Sequence, residues 1–264
     1  MGPILETEIY LALLYLLSIF TKYRQELAIH EISRLIAVSI GIYLPFLIFR
    51  KQSPRLANLF ITVFILLLLA DQKTPWFLML ALGSVTAVIK IIVRSLHQPI
   101  FNPAAAGLLV TSLIGVTTTW WGVSFSPRLH FYNMSLAMLL TLPVGLYLIW
   151  LYKKLPTLIF VPSSFALTYF LLTGRSPLTI LLEGTFAFFL FIIVTEPRTT
   201  PVINRQEAIF GAFLGSMLAF LFKFRFISSP YLISLLTANL LFAIMRKISS
   251  RTPTPPKGQR QNNW

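Results

Sequence analysis

His97-Gln-Pro-Ile-Phe-Asn-Pro-Ala-Ala-Ala-Gly107 interrupts a chain that otherwise consists mostly of long apolar runs. Two prolines, an asparagine and a histidine occur in this stretch, followed by three alanines and a glycine. Within a membrane such a break is costly, because non-helical backbone must find hydrogen-bond partners in protein or in a water-filled cavity. The stretch therefore predicts a broken helix, with Pro103 at the start of its second piece.

The composition around this break indicates an integral membrane protein. Of the 264 residues, 56% are hydrophobic and only 11% are charged, whereas a soluble domain carries about 25% charged residues. The chain has no cysteine, which excludes disulfides, thiolate metal sites and cysteine-bound iron–sulfur clusters within it. Its three histidines are far apart in sequence and lack the spacing of metal ligands, so no metal site is expected.

The formal net charge of +14 has a topological explanation. In a soluble protein it would suggest nucleic acid, but in a membrane protein Lys and Arg mark cytoplasmic loops that meet anionic headgroups. We therefore expect the lipid bilayer, and no nucleic acid, as a partner. The first residues include Glu6 and no basic residue, unlike a signal peptide, so the first apolar run is expected to be a retained helix.

The apolar runs predict an all-α, polytopic membrane protein with about ten transmembrane helices, since a span needs about 20 mostly apolar residues. Residues 1–248 would form a single transmembrane domain, and the polar, basic residues 249–264 a disordered tail. The predicted spans are residues 9–20, 35–49, 57–70, 76–96, 103–120, 134–152, 155–172, 177–195, 207–222 and 230–245.

The distribution of basic residues predicts the orientation in the cell membrane. With ten spans, both termini and the even-numbered connections share one side, and that side carries most of the 22 Lys and Arg residues. Because positively charged loops stay inside, both termini and the tail are predicted to be cytoplasmic.

A second break, Thr195-Glu-Pro-Arg-Thr-Thr-Pro201, follows another strongly apolar run. Residues 76–118 and 177–219 share a pattern in which a helix ends, breaks at prolines and restarts among small apolar residues. This similarity predicts an internal five-helix repeat, and paired broken segments indicate a substrate or cofactor site. In the ten-span count both breaks lie on the same side, whereas an inverted repeat would place them on opposite sides. An inverted repeat therefore requires that one predicted span be wrong, for example a re-entrant segment.

The polar residues of the second break have two interpretations. Their hydroxyls, with Glu196 and Arg198, can bind an anion, coordinate a cation or contact the polar edge of a flavin ring; alternatively they form an ordinary solvated loop. Lys90 either extends to the headgroups, as Arg94 would, or faces the bundle interior and pairs with a carboxylate or an anionic cofactor.

Other polar residues inside predicted spans are also open to two interpretations. Glu183, in the eighth span, is a functional carboxylate or lies near the membrane interface. Asn239, in the tenth, is a functional polar residue or only a helix–helix contact. The predicted cofactor-binding residues are Lys90, Phe101, Asn102, Pro103, Thr195, Glu196, Thr199 and Thr200.

Three stretches, in this order, resemble the RnfD/NqrB family. This family comprises the RnfD membrane subunit of the Rnf electron-transport complex and the related NqrB subunit of the sodium-translocating NADH:quinone reductase. The stretches occur within residues 76–245, about two-thirds of the chain. The first contains Lys90 and Phe101-Asn-Pro-Ala104, where the family has a helix lysine and Phe-Asn-Pro-Ala. The second is Phe189-Leu-Phe-Ile-Ile-Val-Thr-Glu-Pro-Arg-Thr-Thr-Pro201 followed by Ile209-Phe-Gly-Ala-Phe-Leu-Gly215. It is similar to Ala-Thr-Asp-Pro-Val-Thr-Ser-Pro and Tyr-Gly-Ala-Leu-Ile-Gly. The third, Leu235-Leu-Thr-Ala-Asn-Leu-Leu241, is similar to Leu-Leu-Ala-Asn.

The resemblance implies a ten-helix flavoprotein subunit of an ion-translocating oxidoreductase. Such a subunit passes electrons within a membrane complex that contains ferredoxin-type or flavin reductase subunits and moves sodium or protons. The family attaches FMN to a threonine of a Ser-Gly-Ala-Thr motif, which is missing from the corresponding residues 117–134. The chain is therefore either a reduced family member with non-covalent flavin or one that has lost the flavin role. We expect the non-covalent flavin, FMN or riboflavin. The alternatives are a small-solute or ion transporter or channel of related repeat architecture, and a membrane anchor for a soluble reductase.

Overall fold

The computed structural model describes residues 3–22, 28–50, 56–95, 98–124, 136–196, 199–201, 203–224 and 229–249. The predicted tail beyond Ser249 lies outside these ranges, as do His97 and Arg198. Within them the chain is mostly helical. The α-helices are α1 (Pro3–Lys22), α2 (Ala28–Arg50), α3 (Leu56–Leu69), α4 (Trp76–Ile92), α5 (Pro103–Ser112), α6 (Trp121–Ser124), α7 (Leu136–Tyr152), α8 (Leu155–Thr173), α9 (Leu178–Leu181), α10 (Gly184–Phe188), α11 (Asn204–Phe224) and α12 (Pro230–Ser249); a π-helical turn, Phe189–Ile193, continues α10.

Three helical segments among the described residues are long and apolar enough to cross a membrane: Ile29–Phe49, Leu155–Thr173 and Asn204–Phe224. Six other apolar segments have only 10–17 residues. The structure therefore has the helices of an all-α membrane protein, as predicted, but its described residues do not contain ten helices of spanning length. The shorter apolar segments are Thr7–Leu16, Leu59–Leu69, Trp76–Ile92, Pro103–Ser112, Thr141–Tyr152 and Gly184–Ile193.

The fifth predicted span, residues 103–120, is wrong in its length. Helix α5 ends at Ser112, and its 10 residues cover about 15 Å, half of a bilayer core of about 30 Å. Beyond it, Gly115 adopts a φ of +99°, which is incompatible with a right-handed helix. The chain then runs alongside the end of α3, where Thr119 N donates to Leu69 O at 3.1 Å and Thr118 forms a β-bridge with Ala70.

The eighth predicted span, residues 177–195, is not one helix. Helix α9 ends at Leu181, and α10 begins at Gly184. Between them Glu183 is extended, with φ −77° and ψ 144°, and its side chain is exposed. Glu183 therefore marks a break in the segment and does not lie inside a helix, because its extended backbone ends the helical path before α10.

A short β-hairpin, with two strands of two residues each, separates α4 from α5. Strands β1 (Arg94–Ser95) and β2 (Gln98–Pro99) are antiparallel, with Arg94 paired to Pro99 and Ser95 to Gln98. Helix α4 therefore ends at Ile92, four residues before the predicted end of the fourth span. The hairpin turns the chain so that α5 starts near the end of α4, against which it packs.

Several helix contacts in the first half of the described chain have counterparts in the second half. In the first half α1 contacts α3, α2 contacts α4, and α4 contacts α5; in the second, α7 contacts α10 and the π-turn, α8 contacts α11, and α11 contacts α12. This packing pairs Asp71-Gln-Lys-Thr-Pro75, after α3, with Glu196-Pro-Arg-Thr-Thr-Pro201, after the π-turn. It also pairs Asn102-Pro103, at the start of α5, with Ser229-Pro230, at the start of α12.

These contacts place the break before α5 opposite the break before α12, whereas the sequence pattern matched it with the break before α11. The break after α3 precedes α4, whereas the break before α5 follows it, so the two lie at opposite ends of α4. The second-half break at Glu196 meets the α5 end.

Glycines allow the close helix crossings in each half. A Cβ at Gly41 would overlap the Leu80 carbonyl oxygen of α4, and one at Gly83 would meet the Val38 carbonyl oxygen of α2. In the second half, a Cβ at Gly215 would overlap the Val161 carbonyl oxygen of α8. Small residues let helix backbones approach closely, which is how membrane helices gain packing energy.

Gly215→Ala is predicted to be far more damaging than Gly211→Ala, although both lie on the same face of α11. The added methyl at Gly215 must push α8 and α11 apart, and overpacking costs about 1–3 kcal/mol. At Gly211 the nearest atom to an added Cβ is the Phe160 Cβ at 3.1 Å, which a small shift accommodates. Unfolding midpoints in detergent should show a large decrease for Gly215→Ala only; equal midpoints would contradict the crossing.

Candidate functional site

The two broken segments meet through one hydrogen bond between residues 94 positions apart. The Asn102 Nδ2 donates to Glu196 Oε2 at 2.8 Å. Asn102 is also the N-cap of α5, where its Oδ1 accepts from the Ala105 N–H at 3.0 Å, and Pro103 occupies the first position of the helix. Since the cap holds the oxygen against the helix, the amide nitrogen points away from it, toward the carboxylate.

The threonines beside Glu196 shape its turn. Thr195 Oγ1 donates to the Phe191 carbonyl oxygen at 2.6 Å, and Thr200 Oγ1 donates to the Glu196 carbonyl oxygen at 2.7 Å. Thr199 Oγ1 lies 3.4 Å from Glu196 Oε2, a long hydrogen bond. All three threonines are buried, whereas Glu196 is half-buried. Their protons are thus used in hydrogen bonds of this segment, and among the described residues of the turn the carboxylate is the most accessible polar side chain.

A π-helical turn leads directly into this segment. Within it the Val194 N–H donates to the Phe189 carbonyl oxygen, five residues earlier, at 2.9 Å. Its five residues, Phe189–Ile193, are buried. Single π-turns inside α-helices are frequent at functional sites. Here the turn ends the apolar helix at Ile193, three residues before Glu196.

A cavity of about 320 Å³ opens where the two segments meet. Lys90, Asn102 and Glu196 supply its charged and amide groups, so Lys90 faces the interior of the bundle. Arg94, one turn later, is exposed and donates through Nε to the Lys90 carbonyl oxygen at 2.9 Å. The remaining lining comes from Thr7, Ile61, Thr62, Ile65, Pro103, Ala104, Leu148, Tyr152, Ile192 and Thr195.

Phe101 lies apart from the other predicted site residues. It lines a second cavity of about 400 Å³, between α4, α5 and α12, whose walls are almost entirely apolar. Of the eight predicted residues, the structure therefore places Lys90, Asn102, Pro103, Thr195 and Glu196 around the first cavity. Thr199 and Thr200 are buried behind it in the Glu196 turn.

Asn239 links the two broken segments from behind and was not among the predicted site residues. It is fully buried in α12. The amide orientation that satisfies both neighbours directs its nitrogen to the Thr199 carbonyl oxygen at 3.2 Å and its oxygen to the Asn102 N–H at 3.0 Å. An isolated amide in an apolar helix, together with its match to the family motif, was the available sequence signal.

A buried ion pair beside the second break also went unpredicted, because Lys153-Lys154 has the pattern of a headgroup-facing loop. Lys154 and Glu207 are both fully buried, with Lys154 Nζ 3.0 Å from Glu207 Oε1. The ammonium also donates to the Pro201 carbonyl oxygen. Burial lowers the pKa of Lys154 from its ordinary value, while the Glu207 carboxylate acts in the opposite direction.

The break after α3 lies at the opposite end of α4 from Asn102, and there the chain itself fills the space. Asp71 N donates to the Thr117 carbonyl oxygen at 2.8 Å, and the Thr118 and Ser229 hydroxyls are hydrogen-bonded to each other at 2.5 Å. The segment after α5 thus lies between the counterparts of Glu196 and Asn102. Within the part of the chain that the structure describes, no cluster of metal-ligating side chains occurs.

The chain matches no family model and none of the curated proteins. The resemblance to the RnfD/NqrB family therefore rests on the three stretches of sequence alone.

A double-mutant cycle is predicted to detect the Asn102–Glu196 contact. Asn102→Asp keeps the helix cap but places a second carboxylate beside Glu196, so we expect a clear decrease in the unfolding midpoint. Glu196→Gln should have little effect, and in the double variant the introduced glutamine can donate to the introduced aspartate and restore stability. The expected coupling is about 0.5–3 kcal/mol, typical of residues in contact. Additive effects of the two substitutions would contradict the contact.

Proposed function

We propose that this protein is a membrane subunit of an Rnf-like or NADH:quinone reductase-like electron-transport complex that holds a non-covalent flavin in the cavity at Asn102 and Glu196. One observation carries the proposal. The first two family-like stretches, far apart in sequence, contribute Lys90, Asn102 and Glu196 to the same cavity. Coupling to sodium or proton movement, and association with ferredoxin-type or flavin reductase subunits, belong to the same proposal.

The lining of the cavity suits a flavin ring. Its volume of about 320 Å³ lies at the lower end of the range for ligand pockets, which favours the ring itself as the buried part. Apolar side chains, among them Ile65, Leu148 and Ile192, can cover the ring faces. A bound flavin would supply one-electron and hydride chemistry, while the protein orients it and tunes its electronics.

Each polar residue has a distinct role in this proposal. Lys90 supplies positive charge for an anionic group of the ligand. Glu196 accepts hydrogen bonds from a ring N–H, and Asn102 holds that carboxylate in place. Thr195, Thr199 and Thr200 support the turn, and Phe101 contacts its own apolar cavity instead of the flavin.

The proposed membrane arrangement keeps the ten segments, some of them only half as long as a span. Helix α5 and the segment from α10 through the π-turn would enter the bilayer partway from either side, as broken helices do in repeat-based transporters. Both termini would be cytoplasmic, at the cell membrane, because that side carries more Lys and Arg.

Flavin binding is predicted to depend on Lys90 and not on Arg94. The purified protein should show flavin absorbance or rebind riboflavin or FMN. Lys90→Met should weaken the binding of FMN, whose phosphate is anionic, on the order of tenfold or more, as expected for losing one charge-assisted contact. Arg94→Met, at an exposed position one turn away, is the matched control. Wild-type protein that neither carries nor rebinds flavin would refute the flavin site.

A second candidate function is the uptake of a small solute or ion. The observation that favours it is that the N-terminus of α5 and the C-terminal end of the π-turn reach the same cavity. Helix ends that meet at a binding site in this way are known from transporter folds. Uptake by proteoliposomes that contain the protein alone, without any redox partner, would support this function over electron transfer.

A further inference from the structure

We propose that the buried Lys154–Glu207 pair is a positioning device that sets the geometry of the Glu196 turn, and through it the affinity of the cavity for its ligand. The effect on affinity rests on the proposed flavin site. The effect on the turn does not, because it concerns contacts within the protein.

The backbone directs Lys154 inward. Helix α7 ends at Tyr152, and Lys153 adopts a left-handed φ of +54°, which is uncommon for a residue other than glycine. The next residue, Lys154, occupies the N-cap position of α8, without a capping hydrogen bond from its side chain. Lys153 is exposed while Lys154 is fully buried. The sharp turn thus separates two neighbouring lysines, so that Lys154 cannot be a headgroup-facing lysine.

Lys154 binds the end of the broken segment. Its Nζ donates to the carbonyl oxygen of Pro201, a buried residue that lies outside any helix. A buried carbonyl without a donor costs about 1–3 kcal/mol, so the ammonium satisfies a group that the break creates. Pro201 directly follows Thr200, whose hydroxyl is bonded to the Glu196 carbonyl oxygen. Lys154 therefore holds one end of the turn that carries Glu196, and Asn239 holds its middle through Thr199.

Stability alone is a weak explanation for this pair. Two charges taken out of water rarely recover their desolvation cost, and buried pairs replaced by apolar residues of similar volume are often equally stable or more stable. Within the described part of the chain, neither Glu207 carboxylate oxygen accepts a well-directed hydrogen bond, although the ammonium lies 3.0 Å away. The pair is thus suboptimal as a stabilising contact but well placed to fix the position of Pro201.

The first half of the chain contains a counterpart that serves as a control. Arg34 Nη2 donates to the Asp71 carbonyl oxygen at 3.0 Å, and Arg34 Nη1 pairs with Glu31 at 2.7 Å. Both side chains are buried. This pair also joins a buried cation to a break, but at the end of α4 that lies away from Asn102.

The test combines the double variant Lys154→Met/Glu207→Leu with the Asn102–Glu196 double-mutant cycle. Replacing both charges leaves no unpaired ion, so the unfolding midpoint should change by only a few degrees. The coupling between Asn102 and Glu196 should be lost, and the dissociation constant of riboflavin should rise about tenfold. Arg34→Met/Glu31→Leu, the matched control, should leave both the coupling and the dissociation constant unchanged.

The outcomes separate this inference from the proposed function. If the coupling between Asn102 and Glu196 persists in Lys154→Met/Glu207→Leu, the positioning role is overturned. It is also overturned if the control variant loses this coupling to the same extent. Absence of flavin from every variant refutes the flavin site but leaves the coupling as the test of the turn. If the double variant does not accumulate, Lys154→Arg, which keeps the charge and the donor, should retain the coupling, while Glu207→Gln should weaken it. Equal coupling in these two variants overturns the inference.

Discussion

The unpaired peptide groups of broken helices are the constraint on which this structure depends. In an apolar environment each of them needs a partner from the protein, because water is absent. Different side chains serve three of these breaks: Asn102 caps α5, Lys154 binds the Pro201 carbonyl oxygen, and Arg34 binds the carbonyl oxygen of Asp71. The burial of these three polar side chains is therefore explained by the backbone groups that they satisfy.

Glu196 differs from these residues and so marks the candidate site. Its carboxylate accepts from Asn102 but lies at a cavity wall, half-buried, beside Lys90. The surrounding threonines direct their protons to backbone and carboxylate oxygens within the turn. The Glu196 carboxylate is therefore the candidate functional group, because neighbouring residues already provide the hydrogen bonds that the backbone of its turn requires.

The class of the fold and the location of both breaks could be predicted, since hydropathy and proline placement are local signals. The contact between Asn102 and Glu196 could be suspected only from the idea of a repeat, because no local pattern links residues so far apart. Lys154 was missed for a physical reason: a pair of lysines after an aromatic helix end has the same sequence pattern whether it faces headgroups or protein. Likewise, Gly115 and Glu183 broke predicted spans because single backbone conformations override average hydropathy.

The contact between Thr118 and Ser229 makes the two ends of α4 chemically different, although the halves of the chain are packed alike. At one end a carboxylate borders open space; at the other, the equivalent space is occupied by the chain itself. The two ends of α4 therefore differ in what they offer to a ligand. One presents a carboxylate at a cavity wall, and the other is closed by side-chain and backbone hydrogen bonds within the chain.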